Sequence, residues 1–418
     1  MDCMEMIHTQ TQVPQRQAER RIEGGWPAVF ALTLCVSTLI ASEFMPVSLL
    51  TPIASGLKVS QGQAGQAIAV SGIFAVITSL FIASASRNLD RRILLLGLTA
   101  LMIASGAIVA FAPNYLIFMA GRALLGVVIG GFWSMSTATV MRLVPEDAVP
   151  RALALLNGGN ALATTIAAPL GSFLGQYVGW RGAFFCVVPL AAATFVWLFT
   201  SLPSMPNRER ASGIAAFKVL RRPQVPLGML AVALFFMGQF ALFTYLRPFL
   251  ETVTAVDVTT LSLMLLGLGV AGLVGTYAIG IALKRSLYEL LIWMPLAMAM
   301  IAGGLVALGH SPVGVAALLA LWGLIGTAAP VAWWTWVSRV LPGEAEAGGG
   351  LMVAVVQLAI TLGAAVGGML FDAWGYQATF LASAALLISS ALVALLAART
   401  SHAATGDAVY SNTATAEL

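Results

Sequence analysis

An acid and a base stand in stretches of this chain that are otherwise apolar: Glu43 within ASEFMPVSLLTP and Arg122 within MAGRALLGVVIGG. A carboxyl group withdrawn from water favours its neutral form, while a nearby guanidinium favours its anion, so the balance between them decides when the acid holds a proton. One pKa unit corresponds to ~1.4 kcal/mol, and a small rearrangement is enough to load or release that proton. An ionised group at membrane depth costs ~3 kcal/mol or more, which ties it to a cavity, a partner or a function. Proton coupling is one role for the pair; a structural ion pair that fixes helix packing is the other.

Neutral polar groups recur beside them. Asn157, Asn160 and Thr164 follow one another at spacings of three and four, along one helical face. Gln357 and Thr361 stand in the same relation, and Gln239, Thr244 and Tyr245 occupy a third stretch. Amides and hydroxyls suit an uncharged polar ligand; they suit equally well the hydrogen bonds between membrane helices, worth ~0.6 kcal/mol each. Trp333, Trp334 and Trp336 crowd one end of a stretch and Trp133 lies towards the corresponding end of another. Such rings stack on a flat base or sugar face, or anchor a helix at the membrane interface. We take Trp133, Asn157, Asn160, Thr164, Gln239, Tyr245, Trp333, Trp336 and Gln357 as candidate substrate contacts.

In SRNLDRR, Asp90, Arg91 and Arg92 follow Arg87, a carboxylate among arginines able to close one state of a gate or merely to retain a loop on its side of a membrane. Pro169 removes a helical hydrogen bond and, with Gly171 and Gly175, predicts a bent, closely packed gate helix. No catalytic constellation is visible: His8, His310 and His402 fall in tails or a loop, and no GxxxxGK[ST] phosphate motif occurs. This argues against an ATP-driven pump or an intramembrane enzyme. Cys3, Cys35 and Cys186 are too scattered for a disulfide framework or metal site and read as free thiols. Neither a cofactor nor a metal is expected.

The elements that must position these residues follow from composition. Of 418 residues 59% are hydrophobic and 9% charged, with a mean hydropathy of +0.92, whereas about a quarter of a soluble domain is charged. Twelve apolar stretches, at 26–52, 64–86, 93–112, 115–138, 152–175, 181–202, 224–246, 259–283, 289–309, 312–337, 349–371 and 377–398, are each long enough to cross ~30 Å of hydrocarbon. Long runs without two-residue alternation are helices, not barrel strands. The fold class expected is an all-α polytopic membrane protein. Lys58, Arg181 and Arg247 lie in one set of alternate gaps and Arg122 lies inside a span; every other one of the chain's 21 cations falls on the opposite side. The positive-inside rule then places both termini in the cytoplasm, and the net charge of +4 reflects topology and anionic lipid, not a nucleic-acid partner. Residues 1–24 lack the apolar core and cleavage site of a signal peptide.

The gap 203–223 carries five cations, Arg208, Arg210, Lys218, Arg221 and Arg222, with Pro203, Pro206 and Pro223, and separates six spans from six. APLGSFLGQYVGWRGAFF from Ala168 aligns with AAVGGMLFDAWGYQATFL from Ala364, pairing Gly171 with Gly367, Gly179 with Gly375 and Phe184 with Phe380. Arg142 to Pro145 aligns with Arg339 to Pro342, and Gly126 with Gly323. Independent segments agreeing on nearly one offset, 196 and 197 residues, argue for duplication. The division expected is a tail at 1–24, a six-helix bundle at 25–202, a cytoplasmic linker at 203–223, a second bundle at 224–399 and a tail at 400–418. Arg122 maps onto Leu319 and Glu43 near Phe240 to Leu242, so charge chemistry is concentrated in the first half.

These residues resemble the drug:proton antiporter branch of the major facilitator superfamily over essentially the whole membrane region. Arg122 with Gly126 and Gly130 is similar to its fourth-helix signature, whose arginine is implicated in proton transfer. Ala168-Pro169-Leu170-Gly171 resembles its fifth-helix antiporter motif, with alanine where glycine is usual. SRNLDRR is similar to a contracted form of its loop motif between the second and third helices, without the glycines. EFMPVSLLTP, GGFWSMS, MRLVP, APLGSFLG, GQFALFTYLRP and the WWTW around Thr335 further resemble bacterial purine ribonucleoside efflux transporters. The resemblance implies twelve helices in two pseudo-symmetric bundles, substrate near the midplane, and proton-driven export of purine ribonucleosides such as inosine and guanosine across the inner membrane, by a monomer with no bound cofactor. Export of sugars or drugs, or a transport-inactive membrane sensor or scaffold, are the alternatives.

Overall fold

Helix caps set the register of the chain. In the computed structural model, which describes residues 3–86, 89–206, 219–222, 224–284, 286–341 and 345–415 with side chains within 25–399, α1 (Cys3–Leu57) ends before Ser60. The Ser60 hydroxyl and the Gln63 side chain form a reciprocal capping box that starts α2 (Gln61–Ala85). Asp90 caps α3 (Arg91–Ala110) and Asn114 caps α4 (Tyr115–Leu143). After a short 3-10 turn comes α5 (Val149–Ser201). The second half holds α6 (Gln224–Phe243), α7 (Leu246–Thr252), α8 (Val258–Ala282) capped by Asp257, α9 (Leu287–Ala307) capped by Ser286, α10 (Pro312–Gly326) capped by Ser311, α11 (Ala329–Val340) and α12 (Ala345–Thr415). No strand occurs among the described residues.

Among the described residues the structure has ten continuous candidate spans, where the sequence predicts twelve. Two of them, Glu146–Ser201 and Gly348–Arg399, run for 56 and 52 residues, whereas a crossing takes about 20. Each contains one residue outside helical geometry, Gly179 (φ 70°, ψ 169°) and Gly375 (φ 77°, ψ −173°). That conformation belongs to glycine alone. A single residue therefore makes each turn, which is why the predicted pairs 152–175 with 181–202 and 349–371 with 377–398 are each joined. These two glycines are the ones the internal repeat aligns. The seventh span is also longer than predicted: α6 and α7 together run to Thr252, so Arg247 is buried within it and not in a gap.

Backbone approach at the repeated positions obeys the same offset. A Cβ on Gly126 would strike the Ser71 carbonyl, and one on Gly323 would strike the Leu268 carbonyl. Small residues let membrane helices close to this distance. The large exposed side chains, such as Phe81, Ile93, Phe111, Trp293 and Val313, lie on outward surfaces suited to lipid.

The core divides accordingly. One cluster, drawn from Ala28 to Met205, fills the first half towards its Arg142 end. A second fills the second half and includes Phe235, Trp322 and Trp336, with Val47, Ile68 and Ala168 contributed from the first. A third, at the Ser60 end, joins Met45, Leu49 and Trp180 to Tyr245. The described part of the 203–223 segment is limited to 203–206 and 219–222, and the rest of that expected linker lies outside the described residues, as do the side chains of both tails.

Candidate functional site

Arg122 reaches across from α4 and spends its guanidinium on main-chain carbonyls. Its Nη1 donates to Ser42 (2.8 Å), Nη2 to Glu43 (3.1 Å) and Nε to Ala67 (3.2 Å). The side chain is 1% exposed. Both α1 and α2 are thereby pinned to α4 by a charge whose neighbours are oxygen dipoles. Ser71 adds a further tie, its hydroxyl donating to the Arg122 carbonyl at 3.0 Å.

The Glu43 carboxylate, 5% exposed, points elsewhere. Its Oε1 accepts from Nε2 of Gln357 on α12, at 3.5 Å. Glu43 and Arg122 are thus neighbours through the main chain, while the acid's own contact crosses to the second half. Arg247 pairs with Glu251 at 2.7 Å, whereas the Glu43 carboxylate and the Arg122 guanidinium make their hydrogen bonds to other groups and not to each other. Arg247, 5% exposed, also donates to the Ser48 carbonyl of α1.

Phe44 stacks on Phe240 of α6, with ring centroids 5.7 Å apart, and with it borders a cavity of about 60 Å³ between the halves. Thr164, Thr165, Gln239, Trp322 and Thr327 also line it. Ligand sites run ~300 Å³ and upward, so this volume is smaller than a nucleoside needs. A second cavity, of about 490 Å³, opens between α1 and α5 at Trp26, Phe30, Arg151 and Leu155.

Contacts across the halves run from this depth to the Ser60 end. Thr165 packs on Gly269, and Thr361 on Gly72. Ser172 meets Ser262 at 2.9 Å, and Gln66 donates to the Ala365 carbonyl at 3.3 Å. At the mouth the Asp372 carboxylate accepts from the Ser60 hydroxyl and from the Gly62 N–H (2.9 Å). Towards the Arg142 end, the core of the first half contains first-half residues alone, and Asn157 and Gly158 are exposed on α5. The Ser60 end is closed.

The other predicted site residues are dispersed. Thr164 and Gln239 line the cavity. Asn157 donates to the Leu153 carbonyl of its own helix, and the Asn160 carbonyl accepts from Thr164. Tyr245 is fully buried near the Ser60 end, its hydroxyl donating to the Ala364 carbonyl at 2.7 Å. Trp333 and Trp336 are 2% and 1% exposed, packed edge to face in the core of the second half. Trp133 is half-buried and edge to face with Phe132. Trp322, next to the repeated Gly323, is the tryptophan that reaches the cavity; that adjacency was the available signal.

The loop acid also acts locally. Asp90 accepts from the Arg92 N–H (2.7 Å), the Met205 N–H (2.9 Å) and the Ser204 hydroxyl, while Arg92 donates to the Phe199 carbonyl (2.7 Å). Arg91 donates its N–H to the Met205 carbonyl. These bonds fasten α3 to the end of α5 within the first half, not across the halves. Desolvation raises the Asp90 carboxyl, but the Ser204, Met205 and Arg92 hydrogen bonds together outweigh it and hold it below the usual carboxylate range. Pro169 is buried in α5 without a break in helical geometry there, and Gly171 lies close to Met45 and Ser48 of α1. Cys35 and Cys186 are free thiols. Arg87 lies outside the described residues.

Comparison with known proteins adds findings of three kinds. The Major Facilitator Superfamily family is matched over residues 29–364. A protein of Pseudomonas aeruginosa, "Transcription regulatory protein OpdE", is 60% identical over 380 residues, 90% of this chain and 94% of that protein. "Purine ribonucleoside efflux pump NepI" of Salmonella typhimurium is 43% identical over 368 residues, 88% of this chain and 93% of that protein. Among solved structures, a bacterial homolog to the human lysosomal transporter Spinster, inward-facing and unoccupied, superposes with a TM-score of 0.74 at 15% identity, covering 90% of this chain and 97% of that one. The human organic anion transporter MFSD10 gives 0.64 at 18% identity, covering 90% and 99%.

Proposed function

This chain belongs to the Major Facilitator Superfamily, and from that we propose that it exports purine ribonucleosides such as inosine and guanosine in exchange for protons, by alternating access. The observation that carries the reading is the Glu43 carboxylate, buried in the first half and hydrogen-bonded by Gln357 of the second. A proton there changes a contact between the two bodies that must move. The ionised acid accepts strongly from the amide, and charge-assisted bonds are roughly twice as strong as neutral ones. Loss of the proton strengthens that tie, so the state in which the tie is made is the one in which Glu43 gives its proton up. The 43% identity to a purine ribonucleoside efflux pump supports the substrate class.

By the positive-inside rule the Ser60 end faces the periplasm of the inner membrane, both termini are cytoplasmic, and the closed Ser60 end corresponds to a state open to the cytoplasm. There Glu43 releases its proton and substrate binds; in the opposite state Glu43 is reprotonated and substrate leaves. Arg122, fixed on the Ser42, Glu43 and Ala67 carbonyls, holds α1 and α2 in register with α4 around the acid. The working unit is a monomer of two bundles, 25–202 and 224–399, joined by 203–223.

A second reading has one observation in its favour: the 60%-identical Pseudomonas protein carries a transcription-regulatory name. A transport-inactive sensor or scaffold would need a surface for a partner, and the longest polar gap, 203–223, is far shorter than the ~50 residues of a small domain. Export offers a route to the same phenotype, because removing a solute alters what an intracellular regulator senses. The test is efflux of radiolabelled inosine from proteoliposomes, with and without an imposed proton gradient and with sugars and drugs as competitors. Gradient-driven inosine efflux is expected. In parallel vesicles loaded with labelled sugars or drugs, efflux of those solutes without inosine efflux would move the substrate class, and no flux of any solute would favour the sensor.

A further inference from the structure

The cavity beside Phe44 has two polar atoms that nothing in the protein satisfies. Gln239 Oε1 and Trp322 Nε1 are both buried and both lack a hydrogen-bond partner, and both residues line the cavity. An unpaired buried polar group costs ~1–3 kcal/mol, so such atoms normally meet a partner from outside the chain. The rest of the Gln239 amide is accounted for: its Nε2 donates to the Gly326 carbonyl at 3.4 Å, which leaves the oxygen as the free end. The Thr164 and Thr165 hydroxyls are spent on the Asn160 and Ala161 carbonyls of their own helix. The two buried atoms left unsatisfied are thus one acceptor and one donor, on a lining that also carries the stacked rings of Phe44 and Phe240 and the residue Thr327.

We propose that this pair reads the lactam edge of a 6-oxopurine base, Gln239 Oε1 accepting from the ring N1–H and Trp322 Nε1 donating to the O6 carbonyl. The proposal rests on the reading of the chain as a purine nucleoside exporter and names how that site selects among purines. A cavity of about 60 Å³ admits the edge of a base and not a whole nucleoside, and an unpaired acceptor with an unpaired donor on its lining is the complement of such an edge. A site built to hydrogen-bond a ligand rejects analogues that lack the complementary groups, because its own buried atoms are then left unpaired. Inosine and guanosine carry the N–H and C=O side by side; purine riboside has neither.

The experiment measures exchange of labelled purine riboside in proteoliposomes of the full chain, with unlabelled inosine or purine riboside as competitor, for wild type, Trp322→Phe and Gln239→Leu. Wild type is expected to prefer inosine by ~10-fold or more for each bond at stake. Trp322→Phe, which keeps an aromatic ring and removes the N–H, and Gln239→Leu, which removes the amide, should each lower the preference for inosine over purine riboside ~10-fold, with membrane-fraction yield as the control for folding. Equal losses for both competitors, or none, would overturn the proposal while the export reading stands. Wild-type vesicles that exchange no nucleoside would overturn the export reading and this inference with it.

Discussion

Replacing Glu43 with Gln separates movement of substrate from its coupling to protons. Glu43 is the buried carboxylate among the described residues, and its partner is the neutral amide of Gln357. A glutamine there has the shape of the protonated acid and no proton to release. If this one group carries the coupled proton, each exchange moves one proton per neutral nucleoside. A gradient of one pH unit then supplies ~1.4 kcal/mol, or a tenfold accumulation, and 100 mV of membrane potential supplies ~2.3 kcal/mol, roughly fiftyfold. The assay is the steady-state inosine ratio across proteoliposomes as the imposed pH difference is varied at zero potential. Wild type should give one decade per pH unit, and Glu43→Gln a slope of zero, while exchange of labelled for unlabelled inosine continues in the variant. A slope of two decades in wild type, or an undiminished slope in the variant, would refute the assignment of the proton to Glu43.

Three further outcomes follow from contacts already described. Gly269→Val would drive a side chain into the Thr165 carbonyl, whose oxygen lies 2.6 Å from the Cβ position; overpacking of this kind costs ~1–3 kcal/mol, and transport should fall with the protein still inserted, as a transport assay against membrane-fraction yield would register. Asp372→Asn removes the charge that accepts from Ser60 and Gly62 at the closed mouth; losing ~1.4 kcal/mol of charge-assisted bonding would shift the balance about tenfold towards opening at that end, read as faster labelling of a cysteine placed at Gln66, and an unchanged rate would remove Asp372 from the closure. Asp90 is held below its ordinary value by its Ser204, Met205 and Arg92 bonds, so its contribution is present above an unfolded pKa of ~3.9 and is lost as pH falls through the lower folded value. Asp90→Ala should cost ~1 kcal/mol of capping at neutral pH, with the difference in melting temperature from wild type shrinking only at strongly acid pH.

Much of this architecture is written in side-chain type, and the parts that are not share a cause. The alignment of Gly179 with Gly375 anticipated that the two would behave alike, since a backbone conformation reserved for glycine must carry glycine in both copies. Arg122 was recognisable because an arginine at that depth needs partners, yet the partners are the carbonyls of Ser42, Glu43 and Ala67, and a carbonyl has no signature in sequence. Trp333 and Trp336 have the right chemistry for a base-stacking wall, but residue type does not tell a ring facing a cavity from one facing its own core, and both face the core. Arg247 read as a loop cation because an apolar count stops at the first charge; an acid one turn later, Glu251, let the helix bury it.

The two contacts at mid-depth, Gly72 with Thr361 and Gly269 with Thr165, are copies of each other under the repeat, since the glycines are displaced by 197 residues and the threonines by 196, the two offsets at which the halves align. Two points fixed in both bodies define an axis, and a body that turns about an axis through its middle behaves as a lever. With ~30 Å of membrane between the ends, each arm is ~15 Å long, so opening at Ser60 and closing at Arg142 become one displacement seen from opposite ends. One ancestral glycine-on-threonine contact, duplicated, would then have supplied both bearings of the lever.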